Sequence, residues 1–291
     1  MKVKIITDSC CDMPYEDEQA HKDMIDIMSF DITLGDETFR ERIDVTPQEF
    51  FEKIDNSPHL PKTAQITVPR FEEKFTECFN EGYDAIICVL INSTGSQTYS
   101  NALQAKKNLE EELDGFKNMR LEIIDTHCYS VGYGYPVLEA AKKLEAGQSV
   151  DSVVDYLVDM FNCCEIYIIG FELRHMKKSG RINAAAAFLG EMMGLKPIIS
   201  LIDGESVVVK KSRGDKNAIR DAAQYVAQQA TPETPWQILR ADEKELTDEF
   251  IKIYSDLVGS KPVMDSYCGA AVATNTGPHM IGIVIRGKAR R

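Results

Sequence analysis

Ala85-Ile86-Ile87-Cys88-Val89-Leu90-Ile91 runs directly into Asn92-Ser93-Thr94-Gly95-Ser96-Gln97-Thr98, and this junction decides how the chain folds. An uncharged apolar run of this length, bounded by turn residues, is a buried strand. The polar run that stops it supplies hydroxyls and a glycine where a helix, from about Thr98 to Glu112, is set to begin. Hydroxyl donors and the unpaired N–H groups of a helix start then face one spot, which makes an anion pocket. No Lys or Arg stands inside the polar run, so the pocket it predicts suits one carboxylate rather than a polyphosphate.

The same arrangement recurs on either side. Lys2 to Ile6 alternates polar and apolar and stops at Thr7-Asp8-Ser9. Leu121 to Ile124 stops at Asp125-Thr126-His127, before a helix through Leu138 and Leu144 that Gly147 closes. Between them, Met28 to Leu34 is extended and ends at the turn signal Gly35-Asp36. Thr46-Pro47-Gln48-Glu49 is a capping box with proline at the first helical position, and Phe50, Phe51 and Ile54 supply its apolar face. Thr67 and Pro69 repeat the start signal ahead of Phe71, Phe75 and Phe79. Strands alternating with helices predict a parallel sheet with helices on its faces. Ligands of such sheets sit beyond the carboxyl ends of the strands. Each polar strand end, taken singly, reads as a helix cap; three of them in one sheet would converge.

The second half has a different character. Ile166 to Ile169 is an apolar strand reaching Gly170, and Asn183 to Met193 reads as an alanine-rich helix. Ile198 to Ile202 and Ser206 to Lys210 flank Asp203-Gly204, a hairpin signal. A helix over Lys216 to Gln229, a strand over Gln237 to Arg240, a helix over Glu243 to Leu257 and a strand over Ile281 to Ile285 complete an α+β unit with a mixed sheet. The fold class is therefore α/β in two domains, 1–162 and 163–291, with the boundary near Asn162.

Composition narrows the function. A length of 291 residues fits two domains of ordinary size. Acidic residues outnumber basic ones 46 to 33, and the net charge of -13 argues against nucleic acid or anionic membrane as the main partner. No stretch approaches the about 18 apolar residues of a membrane helix, and Met1-Lys2-Val3-Lys4 leads into a strand without a signal-peptide core, so a cytoplasmic location is expected. The cysteines are vicinal (Cys10-Cys11, Cys163-Cys164) or scattered (Cys78, Cys88, Cys128, Cys268) with no C-x-x-C, which predicts free thiols and no metal site. Neither Ser93 nor Ser96 lies in a G-x-S-x-G elbow and no P-loop is present. The competing reading is a serine-dependent hydrolase, or another small-molecule enzyme, acting at the Ser93 loop with His127 or His279 as base.

Seven short motifs, in this order and spacing, resemble the DegV family of fatty-acid-binding proteins nearly end to end. They are Thr7-Asp8-Ser9 with Asp12, Pro61-Lys62-Thr63-Ala64-Gln65, and Ser93 with Ser96, Thr98 and Tyr99. Asp125-Thr126 leading to Ser130, Gly132 and Gly134, then Lys178-Ser179-Gly180-Arg181-Ile182, Arg213-Gly214-Asp215-Lys216, and Thr274 with Gly277-Pro278 complete the set. The resemblance implies a non-catalytic carrier with no cofactor beyond a bound long-chain fatty acid. Its carboxylate would sit at the first domain and its tail in a tunnel between domains. Several members present the lipid to the separate ATP-binding subunit of a bacterial fatty acid kinase. Thr63 and Ser93 fall on the family's headgroup positions. Asn92 and Ala64 stand where serines are usual and Gln97 where glycine is; Asn275 replaces a histidine and His279 the last glycine of Gly-Pro-Gly. The histidine's contact is then lost or passes to Asn275 or His279, and Asn92 joins the headgroup set. The expected tunnel wall is Phe171, Leu173, Ala184 to Leu189 (Ala185 and Ala186 included), Met192, Met193, Leu195 and Ile198. Arg181 and Arg213, the latter beside Lys210 and Lys211, are expected to face the partner or a phosphate, the alternative being a solvated hairpin face.

Overall fold

A computed structural model, describing residues 1–189 and 193–290, puts the apolar run at 85–91 in the middle of a parallel sheet. The first half runs β1 (Val3–Asp8), α1 (Tyr15–Ala20), β2 (Ile25–Met28), β3 (Asp31–Leu34), β4 (Glu37–Arg40), α2 (Pro47–Asp55), β5 (Lys62–Ala64), α3 (Val68–Asn80), β6 (Ala85–Leu90), α4 (Thr98–Glu112), β7 (Arg120–Asp125), α5 (Val131–Glu145) and α6 (Val150–Cys163). The second runs β8 (Cys164–Gly170), α7 (Arg174–Ser179), α8 (Asn183–Ala186), β9 (Leu195–Ile202), β10 (Glu205–Arg213), α9 (Asp215–Gln229), β11 (Trp236–Arg240), α10 (Lys244–Val258), β12 (Met264–Tyr267), α11 (Ala270–Thr276) and β13 (Met280–Arg286).

Strands β2-β1-β6-β7 form the parallel sheet, with Cys88 of β6 opposite Ile6 on one side and Ile123 on the other. Every residue of β6 is fully buried, which is why its sequence carries no polar alternation. The capping box forms: Glu49 Oε2 accepts the Thr46 N–H at 2.9 Å and Thr46 Oγ1 accepts the Glu49 N–H at 3.4 Å. The extended region at 28–34 is divided, because Phe30 leaves the sheet and donates its N–H to Ser9 Oγ at 2.9 Å. Beyond it a small antiparallel sheet, β4-β3-β5, sets Thr63 opposite Ile32.

The mixed sheet has the order β10-β9-β8-β13-β11-β12, antiparallel throughout except for the β11–β12 pair. Asp203 and Gly204 both take positive φ, as a two-residue hairpin turn requires. Side chains alternate between its two faces. Tyr167, Ile169, Ile198, Trp236, Ile238 and Ile281 join the core beneath α9 and α10. Ile166, Ile168, Ile199, Leu201, Leu239 and Met280 join the core of the first half. The mixed sheet is thus buried on both faces, by different halves of the chain.

The helix expected over 183–193 stops at Ala186, and Phe188 N closes on Ala185 O at 3.1 Å. Alanines favour a helix but offer little apolar surface, and tertiary packing is what holds a short helix. The expected domain boundary falls at the last turn of α6, one residue before β8. All eight cysteines are free and buried. No helix among the described residues is long and apolar enough to cross a membrane.

Candidate functional site

A cavity of about 560 Å³ lies between the inner face of the mixed sheet and the first half of the chain. Its apolar floor is Ile166, Ile168, Leu201, Leu239 and Met280, with Gly282 among them; Phe30, Ile91 and Cys10 face it from the first half. The polar lining comes from three places: Thr63 and Gln65 at β5, the loop from Thr94 to Gln97 with Tyr129 and Ser130, and Asn275 with Thr276 on α11. Residues 180–183, Gly204, Ala271 and Val272 contribute the rest of the wall. Gly204 has φ +81°, and a Cβ there would collide with Thr94 Oγ1, so glycine lets the hairpin tip close onto the loop.

The residues expected at the headgroup do not all meet. Thr63 and Asn275 line the cavity, and Asn275 Nδ2 donates to Ala271 O at 3.0 Å. Asn92 does not: it is fully buried, its Oδ1 accepts Thr94 N and Thr94 Oγ1, both at 2.9 Å, and its Nδ2 donates to His127 O at 3.2 Å. That side chain shapes the loop and leaves Thr94 and Ser96 on the cavity, while Ser93, whose N–H donates to Asp125 Oδ1 at 3.1 Å, is absent from the lining. His279 is also elsewhere, facing Glu243 at 3.0 Å, Asp55 at 3.4 Å and Glu172 at 3.7 Å. The hydrogen bond to Glu243 and the flanking carboxylates raise its pKa to about 8, against partial burial. As a cation it ties α2 to the second half.

The expected tunnel wall needs correction. Ile198 is in the opposite-face core and Phe171 packs against that core, because strand side chains alternate and Ile198 is out of phase with Leu201. Ala185 is buried in the other core, Ala186 is exposed, and Leu189 and Met193 are 89% and 62% exposed. Leu173 belongs to the packed core of the first cluster, Leu195 is half-buried against it, and Met192 lies outside the described residues. Arg181 does line the cavity, at its exposed rim, with Nη1 on Ser179 O at 3.0 Å. Arg213 closes the far end of β10, up to roughly 30 Å from Gly204 at about 3.3 Å per residue. Tyr129, Phe30 and the floor of the mixed sheet were missed as lining. A signal for the floor was present in the alternation of β8, but not which face it would turn to the cavity.

The polar strand ends do converge, as a brace. Asp8 Oδ2 accepts Ile91 N at 2.8 Å, and its Oδ1 accepts Tyr133 Oη at 2.5 Å and Cys10 N at 3.1 Å. Asp12 accepts Ser130 Oγ at 2.5 Å and Gly269 N at 3.0 Å; Glu41 accepts Ala271 N at 2.7 Å and the Ser9 hydroxyl. All three carboxyls are buried, and desolvation raises Asp8 to about 7 and pushes Asp12 and Glu41 up as well. The brace anchors the start of α11, and so sets the position of Asn275 on the cavity.

The family model described as "Uncharacterised protein, DegV family" matches residues 2–288. This chain belongs to the DegV family. The DegV domain-containing protein CPE1310 of Clostridium perfringens (strain 13 / Type A) is 29% identical over 283 residues, 97% of each chain. A fatty-acid-binding DegV family protein from Thermus thermophilus superimposes with a TM-score of 0.84 at 25% identity, covering 99% of this chain and 100% of that one. DegV of Bacillus subtilis, a fatty acid binding protein, gives 0.81 at 25% identity over 99% and 100%. A parallel-sheet unit joined to a mixed-sheet unit is the two-domain DegV fold.

Proposed function

We propose that this protein binds one long-chain fatty acid in the cavity between the sheets and presents it to the ATP-binding subunit of a fatty acid kinase. One observation carries the reading: an apolar floor and a set of hydroxyl donors share one cavity of about 560 Å³, in a chain similar along its length to two fatty-acid-binding DegV proteins. Thr63, Ser96 and Thr94 hold the carboxylate, with Asn275 beside them; the role expected of Ser93 passes to its neighbours. A hydrogen bond to a charged group contributes about 1.5–3 kcal/mol, so a few neutral donors orient the head without fixing it tightly. At about 0.8 kcal/mol per buried methylene, a sixteen-carbon tail offers on the order of 11 kcal/mol before ordering costs. Affinity is therefore mainly a property of the floor and orientation a property of the hydroxyls.

Arg181, at the rim, is the cation that meets the kinase subunit and the phosphate being transferred. Arg213 is too far along β10 for that task. The seam at 162/163 separates the unit that carries the hydroxyl loop from the unit that supplies the floor, in a carrier working in the cytoplasm. The hydrolase reading draws less support: among the described residues neither His127, paired with Asp125 at 3.5 Å, nor His279 hydrogen-bonds to Ser93 or Ser96. Solvent extraction of the purified protein followed by mass spectrometry tests the proposal. One fatty acid per chain is expected; an empty protein, or one that alone turns over an ester or ATP, overturns it.

A further inference from the structure

The cavity floor has a gap in its middle. Across β11, β13, β8 and β9 the residues in register are Leu239, Gly282, Ile168 and Ile199; the neighbouring row is Gln237, Val284, Ile166 and Leu201. Gly282 alone of these positions presents no side chain, in a strand with partners on both sides. Its φ is outside the left-handed region, so the backbone does not call for glycine there. Glycine inside a strand costs stability and often marks the close approach of a ligand. The three nearest heavy atoms to a Cβ at this position all belong to Leu239, at 3.0 to 3.7 Å, and the remaining side is the cavity that Gly282 lines together with Ile168, Leu239 and Met280.

We infer that Gly282 sets the depth of the acyl site and therefore the chain length the protein accepts. The inference rests on the fatty acid reading above, and adds to it the residue that measures the tail. A side chain at 282 has two directions open to it. Toward Leu239 it meets atoms already at the limit of contact; toward the cavity it takes the volume an alkyl chain would fill. Because interiors pack at a fixed density, each added carbon displaces about one methylene of ligand. The atoms nearest a side chain there are those of Leu239 and the hydroxyl lining lies on other elements, so the effect falls on length and leaves carboxylate binding in place.

The test is competitive loading. Delipidated wild type, Gly282→Val and Gly282→Ala are each offered an equimolar mixture of saturated acids from twelve to eighteen carbons, and the bound fraction is read by mass spectrometry. The valine variant is expected to keep full occupancy while its preferred length shortens by about three carbons, and the alanine variant by about one. An unchanged length distribution at full occupancy, or an equal loss at every length, overturns the inference. If the valine variant does not fold, the alanine variant decides alone. A wild type that takes up none of the acids refutes the fatty acid reading itself, which separates the two failures.

Discussion

The two faces of the mixed sheet are made by the same strands and end in opposite conditions. On the outer face Trp236 meets Tyr254 edge-on at 4.7 Å, Tyr254 stacks on Phe250 at 5.5 Å, and α9 adds small residues such as Ala222 that let it sit close. On the inner face Ile166, Ile168 and Leu239 look across a cavity toward Phe30 and Ile91. One face is finished by the protein's own helices; the other borders the cavity. Apolar burial alone does not distinguish them, since Ile281 outside is 0% exposed and Ile168 inside only 4%. What differs is the packing beyond the first contact.

Removing an aromatic from the outer face tests this most severely. Trp236→Ala should destabilise by about 3–5 kcal/mol, as large-to-small changes in a packed core do, read by urea unfolding; a loss below about 1 kcal/mol would mean that the outer face is not packed. Ile281→Ala should cost about 2–5 kcal/mol, whereas Ile168→Ala should cost clearly less in the delipidated protein, because part of its surroundings is already void. Equal losses with the cavity empty would erase the contrast between faces.

A third comparison lies inside the site. Thr63→Ala should weaken fatty acid binding by about tenfold, close to the lower end for one hydrogen bond to a charge, while Ser93→Ala should leave affinity unchanged. Isothermal titration of both variants decides it, and a larger effect at Ser93 would return the headgroup to the position expected from sequence.

The last comparison is a pH dependence at two strand ends, that of β1 and the start of β13. His279 is raised from 6.5 to about 8, so its contribution is complete below about 6.5 and is lost as pH rises through about 8. Asp8, raised from 3.8 to about 7, acts in the same direction: its neutral form suits the buried site, and stability falls as pH climbs from 3.8 through about 7. Unfolding curves should therefore show greater stability at mildly acidic pH than at pH about 8.5, and His279→Gln should flatten the upper part of the slope. A profile that rises with pH contradicts both assignments.

Local signals explain what was legible. The strand at 85–90, the helix over Thr98–Glu112, the capping box at Thr46 and the turn at Asp203-Gly204 each depend on residues within a few positions. Helix α6 is equally local, with Ser149 capping and Val150, Val153, Leu157 and Phe161 at helical spacing. The site was harder for a physical reason. Alternation tells which residues of β9 share a face, not which face meets the other half, and that choice moves the cavity from Ile198 to Leu201. Likewise Asn92 turns the loop through its bonds to Thr94 and to the distant His127 carbonyl, which leaves Ser93 off the lining, and His279 is captured by Asp55; His127 and Asp55 are partners that only the assembled fold brings together.

The brace of Asp12 and Glu41 has a consequence for the order in which the chain folds. Gly269 and Ala271 reach those carboxyls across 257 and 230 residues of chain. Contacts of such long range form slowly. Until they do, α11 is not in position and the wall bearing Asn275 is open, so the cavity takes its shape only late in folding.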